Sequence, residues 1–260
     1  NRDWRLIDYF QNAVGYSLLG DNREQVLFVC HGSGANGKTV LLETIRDIVG
    51  TYGQTVPVSA LMSAKMSGGN SSPEIARLRG VRFALASETE KGQSWSTNRI
   101  KQLTGGDTVA ARALYQDVSE FKSKATIWVA CNHKPKVDAA DKAMWRRIRM
   151  IPFDRVFAPE EQNPDLAAML IEERDGILAW MLQGLAMYRE QGLTEPDAVV
   201  KATAKYRDEM DSVKRFIETQ AEFVSDGRTP LSRMKEAYQN WCRDEGLRPL
   251  AASQFNASLE

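Results

Sequence analysis

Residues 25–50 read QVLFVCHGSGANGKTVLLETIRDIVG. The apolar run over residues 26–30 predicts a buried strand. It enters Gly32-Ser33-Gly34-Ala35-Asn36-Gly37-Lys38-Thr39 and leaves as an amphipathic helix with Val40, Leu41, Thr44, Ile45 and Ile48 on its apolar side. This is G-x-x-x-x-G-K-[ST] set between a strand and a helix, the context in which the motif carries meaning. Glycines at 32, 34 and 37 let the backbone curl so that successive N–H groups, those of Asn36, Lys38, Thr39 and Val40 among them, point inward at phosphate oxygens. The helix N-terminus adds partial positive charge. Lys38 is expected to reach the β and γ phosphates of ATP, and the Thr39 hydroxyl to ligate Mg²⁺.

Moving outward, 260 residues at 43% hydrophobic are enough for one good core and a small satellite. The 34 basic and 34 acidic side chains cancel, so a grip on nucleic acid has to come from a local patch. No apolar run approaches the roughly 18 residues of a membrane span, and no signal peptide is evident, so no membrane partner is expected. Three cysteines without a C-x-x-C pair suit a reducing, cytoplasmic setting, and two histidines without ligand spacing argue against zinc. The chain starts at Asn1 rather than Met and reads as a piece of a longer protein.

Residues 3–19 space Trp4, Ile7, Phe10 and Val14 as a helix does. Downstream of the first long helix, residues 54–58 are β-prone, and residues 68–73 form a Gly/Ser/Pro loop near the glycine loop. Pro73 then starts a short helix. A strand over residues 81–86 runs into Ser87-Glu88-Thr89-Glu90. Acids at the tip of an apolar strand suit a Walker B site, where a carboxylate holds Mg²⁺ or polarises water. Glu88 is the first choice; Glu90 is the second, its plainer role being a solvated partner of Lys91.

A helix over residues 96–103, capped by Ser96 or Thr97, ends at Gly105-Gly106. Residues 109–115 and 121–131 are β-prone and joined by residues 116–119, which reads as a long hairpin whose second arm continues into a core strand. That strand ends at Asn132. A turn-forming Asn is the plainer role, but at the tip of an apolar strand beside the glycine loop it suits a sensor that touches the γ phosphate. Cys30 and Cys131 read as small buried thiols on adjacent strands. Arg146, Arg147 and Arg149 cluster before a β-prone run at residues 150–153, either as a surface patch or as an arginine finger serving a neighbouring subunit. Leu166, Met169, Leu170, Ile177, Leu178, Met181, Leu185 and Tyr188 fit a packed helical layer. A charged helix over residues 197–222 follows, then a helix over 234–245 and a further helical start after Ser253.

In order, GSGANGKT, FALASETEKG, RIKQLTGGDTVAARALY, TIWVACNHKP and WRRIRMIPF, with the trailing GILAWMLQGL and EMDSVKRFI, resemble the phage and plasmid primase-associated helicases of the superfamily 3, poxvirus-type branch. The resemblance covers nearly the whole chain. It implies an α/β fold: an AAA+-like P-loop NTPase with a central mostly parallel sheet, flanked by an N-terminal helical segment and a C-terminal helical region. The expected organisation is residues 1–22 as the N-terminal helical segment, 23–157 as the NTPase core, 158–222 as a helical layer, and 223–260 as a partial winged-helix-like or helical module. The resemblance also implies Lys38 and Thr39 at nucleotide and Mg²⁺, Glu88 as the Walker B acid, Asn132 as sensor, and Arg147, with Arg146 beside it, as finger. The hairpin of such helicases tracks single-stranded DNA in the pore of a ring. Here its tip, Tyr115-Gln116-Asp117, carries no lysine. That leaves Arg112, Lys122 and Lys124 on the arms as phosphate partners and Tyr115 as a stacking platform.

The expectation is therefore an ATP-dependent replicative DNA helicase motor acting on single-stranded DNA and forked duplexes as a homo-oligomer, a hexamer. Its primase domain would lie in the same or a partner chain, and the setting would be the cytoplasm of a host cell. Few basic residues per copy hold DNA weakly, and a ring multiplies them. Two rivals are an NTP-switched DNA-binding or scaffold protein that does not unwind, and a P-loop nucleotide kinase. The second would need an arginine-rich lid, which the loop at residues 68–73 lacks.

Overall fold

The computed structural model describes residues 3–63, 73–87, 89–112, 116–247 and 249–259. The loop expected at residues 68–72, Glu88 and Tyr115 lie outside the described residues. In chain order the elements are α1 (Trp4–Ser17), β1 (Leu27–His31), α2 (Lys38–Ile48), β2 (Gly53–Thr55), α3 (Pro73–Ala76), β3 (Phe83–Ser87) and α4 (Thr97–Thr104). Next come β4 (Thr108–Arg112), β5 (Val118–Lys122), β6 (Thr126–Cys131), α5 (Lys142–Trp145) and β7 (Ile148–Pro152). The remainder is helical: α6 (Leu166–Glu172), α7 (Arg174–Gln191), α8 (Asp197–Met210), α9 (Ser212–Gln220), α10 (Leu231–Asp244) and α11 (Ala252–Ala257).

Five strands form one parallel sheet in the order β2-β3-β6-β1-β7. A sheet covered on both faces wants strands that are apolar throughout, and β6 is buried at every position. Its neighbours β1 and β3 are buried at all but their last residue. Side chains alternate between two cores: Leu27 and Val29 pack on one face, Phe28 and Cys30 on the other. Trp128 spans three strands, its ring 4.4 Å from Phe28 and 5.5 Å from Phe83, both stacked. Its indole N–H finds the Ser17 hydroxyl at 3.0 Å, which satisfies the one polar atom of a fully buried side chain.

α1 crosses α7 at close range because both helices present glycine. A Cβ on Gly15 would lie 2.1 Å from the Leu185 nitrogen, and one on Gly184 2.1 Å from the Gln11 carbonyl oxygen. This contact rotates α1 relative to the expected stripe. Tyr9, Phe10, Ala13, Val14 and Tyr16 are buried, whereas Trp4 and Ile7 are 60% and 39% exposed.

Three other expectations need correction. The helical layer breaks at Glu173, and Leu166, Met169 and Leu178 lie exposed, leaving Met181 and Tyr188 as the buried anchors of α7. The helix expected over residues 197–222 stops at Asp211, whose carboxylate caps α9 by accepting from the Val213 and Lys214 N–H groups. α9 then shares a small core with α10 and α11, where Val213 and Phe216 meet Tyr238, Trp241 and Phe255. The hairpin is a separate antiparallel pair, β4 with β5. Ser123, Lys124 and Ala125 interrupt its second arm before β6 begins, so Lys124 stands on a connector rather than an arm.

Candidate functional site

All the parallel strands point their C-terminal ends the same way, and the chemistry gathers there, as it does in open α/β sheets. β1 runs out at His31 and the glycine loop follows. Gly32 has no room for a side chain: a Cβ there would lie 2.1 Å from the Asn36 side-chain nitrogen and 2.3 Å from the Phe153 carbonyl oxygen. Gly34, Ala35 and Gly37 take positive φ (112°, 47° and 77°), which curls the backbone so that α2 starts at Lys38. Asn36 is buried and braces the loop. Its side-chain N–H donates to the Phe153 carbonyl at 3.1 Å and its oxygen accepts from the Lys38 ammonium at 3.3 Å. The Phe157 N–H donates to the Ala35 carbonyl at 2.7 Å, so the segment leaving β7 clips the loop from outside.

Lys38 is 5% exposed and its ammonium donates to three oxygens: Gly32 carbonyl (3.2 Å), Asn36 (3.3 Å) and Asn132 (2.5 Å). Burial holds its pKa below the ordinary lysine range. Asn132, 94 residues away in sequence, arrives at the tip of β6, the strand paired with β1 through His31↔Cys131. A cleft of about 350 Å³ lies over this meeting point, lined by Gly34, Ala35, Asn36, Gly37, Lys38, Thr39, Val40, Ser87, Thr89, Ala130 and Asn132. Backbone N–H groups, a helix start and one buried ammonium make it suited to a polyanion. Among the described residues no three His, Cys, Asp or Glu side chains converge to hold a metal. A cation here would rest on the Thr39 hydroxyl and on what the cleft binds.

Beside the cleft, an apolar hollow of about 280 Å³ is lined by Leu6, Ile7, Phe10, Leu41, Ile151, Pro152, Phe153 and Trp180. Phe153, whose carbonyl accepts from Asn36 of the glycine loop, is one of its walls, so the hollow lies next to that loop. Sequence reading missed it because its walls come from α1, α2, β7 and α7, with no local pattern in common.

Other expected residues lie elsewhere. Glu90 is exposed and its N–H donates to the Gln93 side chain. Cys30 and Cys131 are buried free thiols; burial lifts the first well above the thiol range and the second to about 12. Arg147 is 5% exposed. Its guanidinium donates to Thr104 (3.1 Å), the Ala143 carbonyl (2.6 Å) and Gln25 (3.3 Å), and burial lowers its pKa. It is thus tied into its own core, and Arg146 is the exposed member of the pair, sharing Gln25 at 3.1 Å. Both precede β7, whose register with β1 runs from Leu27↔Ile148 to His31↔Pro152. The pair therefore sits more than about 13 Å along the strands from the cleft of its own chain. On the hairpin, Arg112 opposes Val118 and Lys122 opposes Thr108, so these cations stand at opposite ends of the exposed face of a ribbon whose other face, through Val109 and Ala111, packs on the core. Arg112 donates to the Gln116 carbonyl at 2.9 Å. No helix among the described residues is long and apolar enough to cross a membrane.

Fold and cleft together define an α/β protein with a parallel sheet and an anion-suited site at its C-terminal edge. Comparison with known proteins narrows this. Residues 30–147 match the model of a family of unknown function, DUF5906. The chain is 29% identical over 255 residues to "Putative helicase L207/L206" of Acanthamoeba polyphaga mimivirus, covering 92% of this chain and 26% of that protein. It is 27% identical over 251 residues to "Putative helicase 022R" of Frog virus 3, covering 90% and 26%. "Putative primase C962R" of African swine fever virus matches at 30% over 145 residues, covering 55% of this chain and 15% of that one. The chain thus spans about a quarter of the helicase-named relatives' length. Among solved structures, the apo C-terminal region of NrS-1 superposes with a TM-score of 0.53 at 14% identity, over 92% of this chain and 52% of that one, a likeness of fold. The relatives are helicase- and primase-named proteins of large DNA viruses.

Proposed function

We propose that the chain is the ATP-hydrolysing motor of a replicative DNA helicase of the superfamily 3, primase-associated type. The observation that carries this is the meeting of Lys38 with Asn132 across the cleft at 2.5 Å, which joins the glycine loop to the tip of the neighbouring strand. A P-loop ammonium and a strand-tip amide at one point are what γ-phosphate recognition requires. The triphosphate lies along Gly34–Thr39, and its base enters the apolar hollow beside Leu41 and Phe153. Lys38 exchanges its protein oxygens for phosphate oxygens, which releases Asn132 to orient the attacking water. Thr39, with Glu88, would hold Mg²⁺, which would neutralise phosphate charge when bound.

Hydrolysis is completed by a neighbour. Arg146 takes the finger role in place of Arg147, because it is exposed and cannot reach its own cleft. A ring of copies, six in number, places each Arg146 at the next subunit's nucleotide and lines a pore with the β4–β5 hairpins. Arg112, Lys122 and Lys124 meet DNA phosphates there and Tyr115 stacks on a base. A primase domain in the same or a partner chain fits the primase-named relative.

The test is ATP hydrolysis with and without single-stranded DNA, then strand displacement on a forked duplex. Lys38→Ala and Asn132→Ala should each abolish both. Hydrolysis without displacement would favour an NTP switch, and full hydrolysis by Lys38→Ala would refute the nucleotide site.

A further inference from the structure

The loop that leaves β6, Asn132-His133-Lys134-Pro135, is gripped from two sides, by Thr89 in the wall of the cleft and by α8 outside it. From the core side, the Thr89 hydroxyl, itself nearly buried, donates to the His133 carbonyl at 2.7 Å. From the helical side, α8 supplies two partners. The Lys134 ammonium meets the Glu209 carboxylate at 2.6 Å. The Tyr206 hydroxyl donates to the Pro135 carbonyl while accepting from the Trp95 indole at 3.0 Å. Tyr206 is fully buried, with its ring edge-on to Trp145. A four-residue loop held at three consecutive residues has little freedom left, and the first residue of that loop is Asn132.

We propose that Glu209 and Tyr206 of α8, with Thr89 opposite, are positioning residues for Asn132. The helical layer therefore sets the turnover rate of a cleft that it does not line. The proposal rests on the nucleotide-site reading given above. α8 ends at Met210 and passes through Asp211 directly into α9, so displacement of the C-terminal helices pulls on the same Lys134–Glu209 pair. Asn132 serves the reacting phosphate rather than initial binding, so loosening its loop lowers kcat and spares KM.

The pair is partly exposed, with side chains 16% and 38% accessible, so charge changes there leave the core intact. Lys134→Glu and Glu209→Lys should each lower kcat for ATP about tenfold with KM within about twofold, and the double swap should restore most of the loss. Thr89→Val should act like the single swaps, and Thr89→Ser should restore activity. Wild-type kcat in both single swaps, a double swap no better than either, or a KM rise matching the loss would each overturn the proposal. Lys38→Ala is measured alongside. If it hydrolyses ATP normally, the nucleotide-site reading falls and this proposal with it. If it is inactive while the single swaps keep full kcat, only the positioning role falls.

Discussion

Alanine at Arg147 and alanine at Arg146 should fail in opposite ways, although the two residues are adjacent. Arg147 gives up charge-assisted bonds at 3.1, 2.6 and 3.3 Å to Thr104, Ala143 and Gln25. Gln25 keeps Arg146, and the Thr104 hydroxyl keeps its bond to the Ile100 carbonyl, so the acceptor left without this partner is the Ala143 carbonyl. With the buried guanidinium stem lost as well, Arg147→Ala should cost about 2–4 kcal/mol. For a chain of this size that lowers Tm by about 5–15 °C. Arg146 is exposed and leaves Gln25 paired, so its removal should stay within about 0.5 kcal/mol. If it serves the proposed seam between subunits, its removal should instead lower kcat by about a thousandfold. Thermal melts and steady-state ATP hydrolysis at high protein concentration read both quantities. An Arg147→Ala protein with unchanged Tm and no turnover, beside an active Arg146→Ala protein, would refute the assignment.

Further expectations follow from the same geometry. Gly184→Ala places a Cβ 2.1 Å from the Gln11 carbonyl oxygen, and equilibrium unfolding should show about 1–3 kcal/mol of lost stability. Among the described residues the hollow beside Leu41 offers no carboxylate, amide or hydroxyl side chain to read a base edge, and the Trp180 indole N–H is a single donor, so ATP, GTP, CTP and UTP should be hydrolysed with kcat/KM within about tenfold. Burial depresses the Lys38 pKa, so the free protein loses this charge below the ordinary lysine value of about 10.4, and nucleotide binding should weaken as pH rises through that range. The stability sign is opposite. With the folded value below the unfolded one, the unfolded chain holds more protons in that window, so the penalty from Lys38 eases as pH rises. Titration of nucleotide affinity and of Tm against pH checks both signs.

Much of this site was legible because its signals are local. Gly32 to Thr39 carries its own strand, turn and helix, and the apolar run at residues 126–131 ends at Asn132 by inspection. What the sequence hid depends on distant partners. Nothing local says which of Arg146 and Arg147 turns inward; Gln25, 122 residues away from Arg147, and Thr104 decide it. Trp4 and Ile7 fit a helical stripe, yet the close approach of Gly15 and Gly184 chose a different face of α1. Tyr206 reaches Pro135 across 71 residues of sequence with no motif to announce it. The break at Asp211 was within reach, since an Asp before Ser-Val-Lys is a plain N-cap signal. The charged residues on either side keep a helical rhythm, which masks it.

Subunit complementation tests the seam most directly. Lys38→Ala and Arg146→Ala proteins are each expected to be inactive and to assemble. Mixed in equal amounts, about a quarter of the sites pair an intact Lys38 with an intact Arg146 from the next copy, and ATP turnover should return to about that fraction of wild type. A mixture as inactive as its two components, in assemblies shown to exchange subunits, would contradict an active site shared between neighbours.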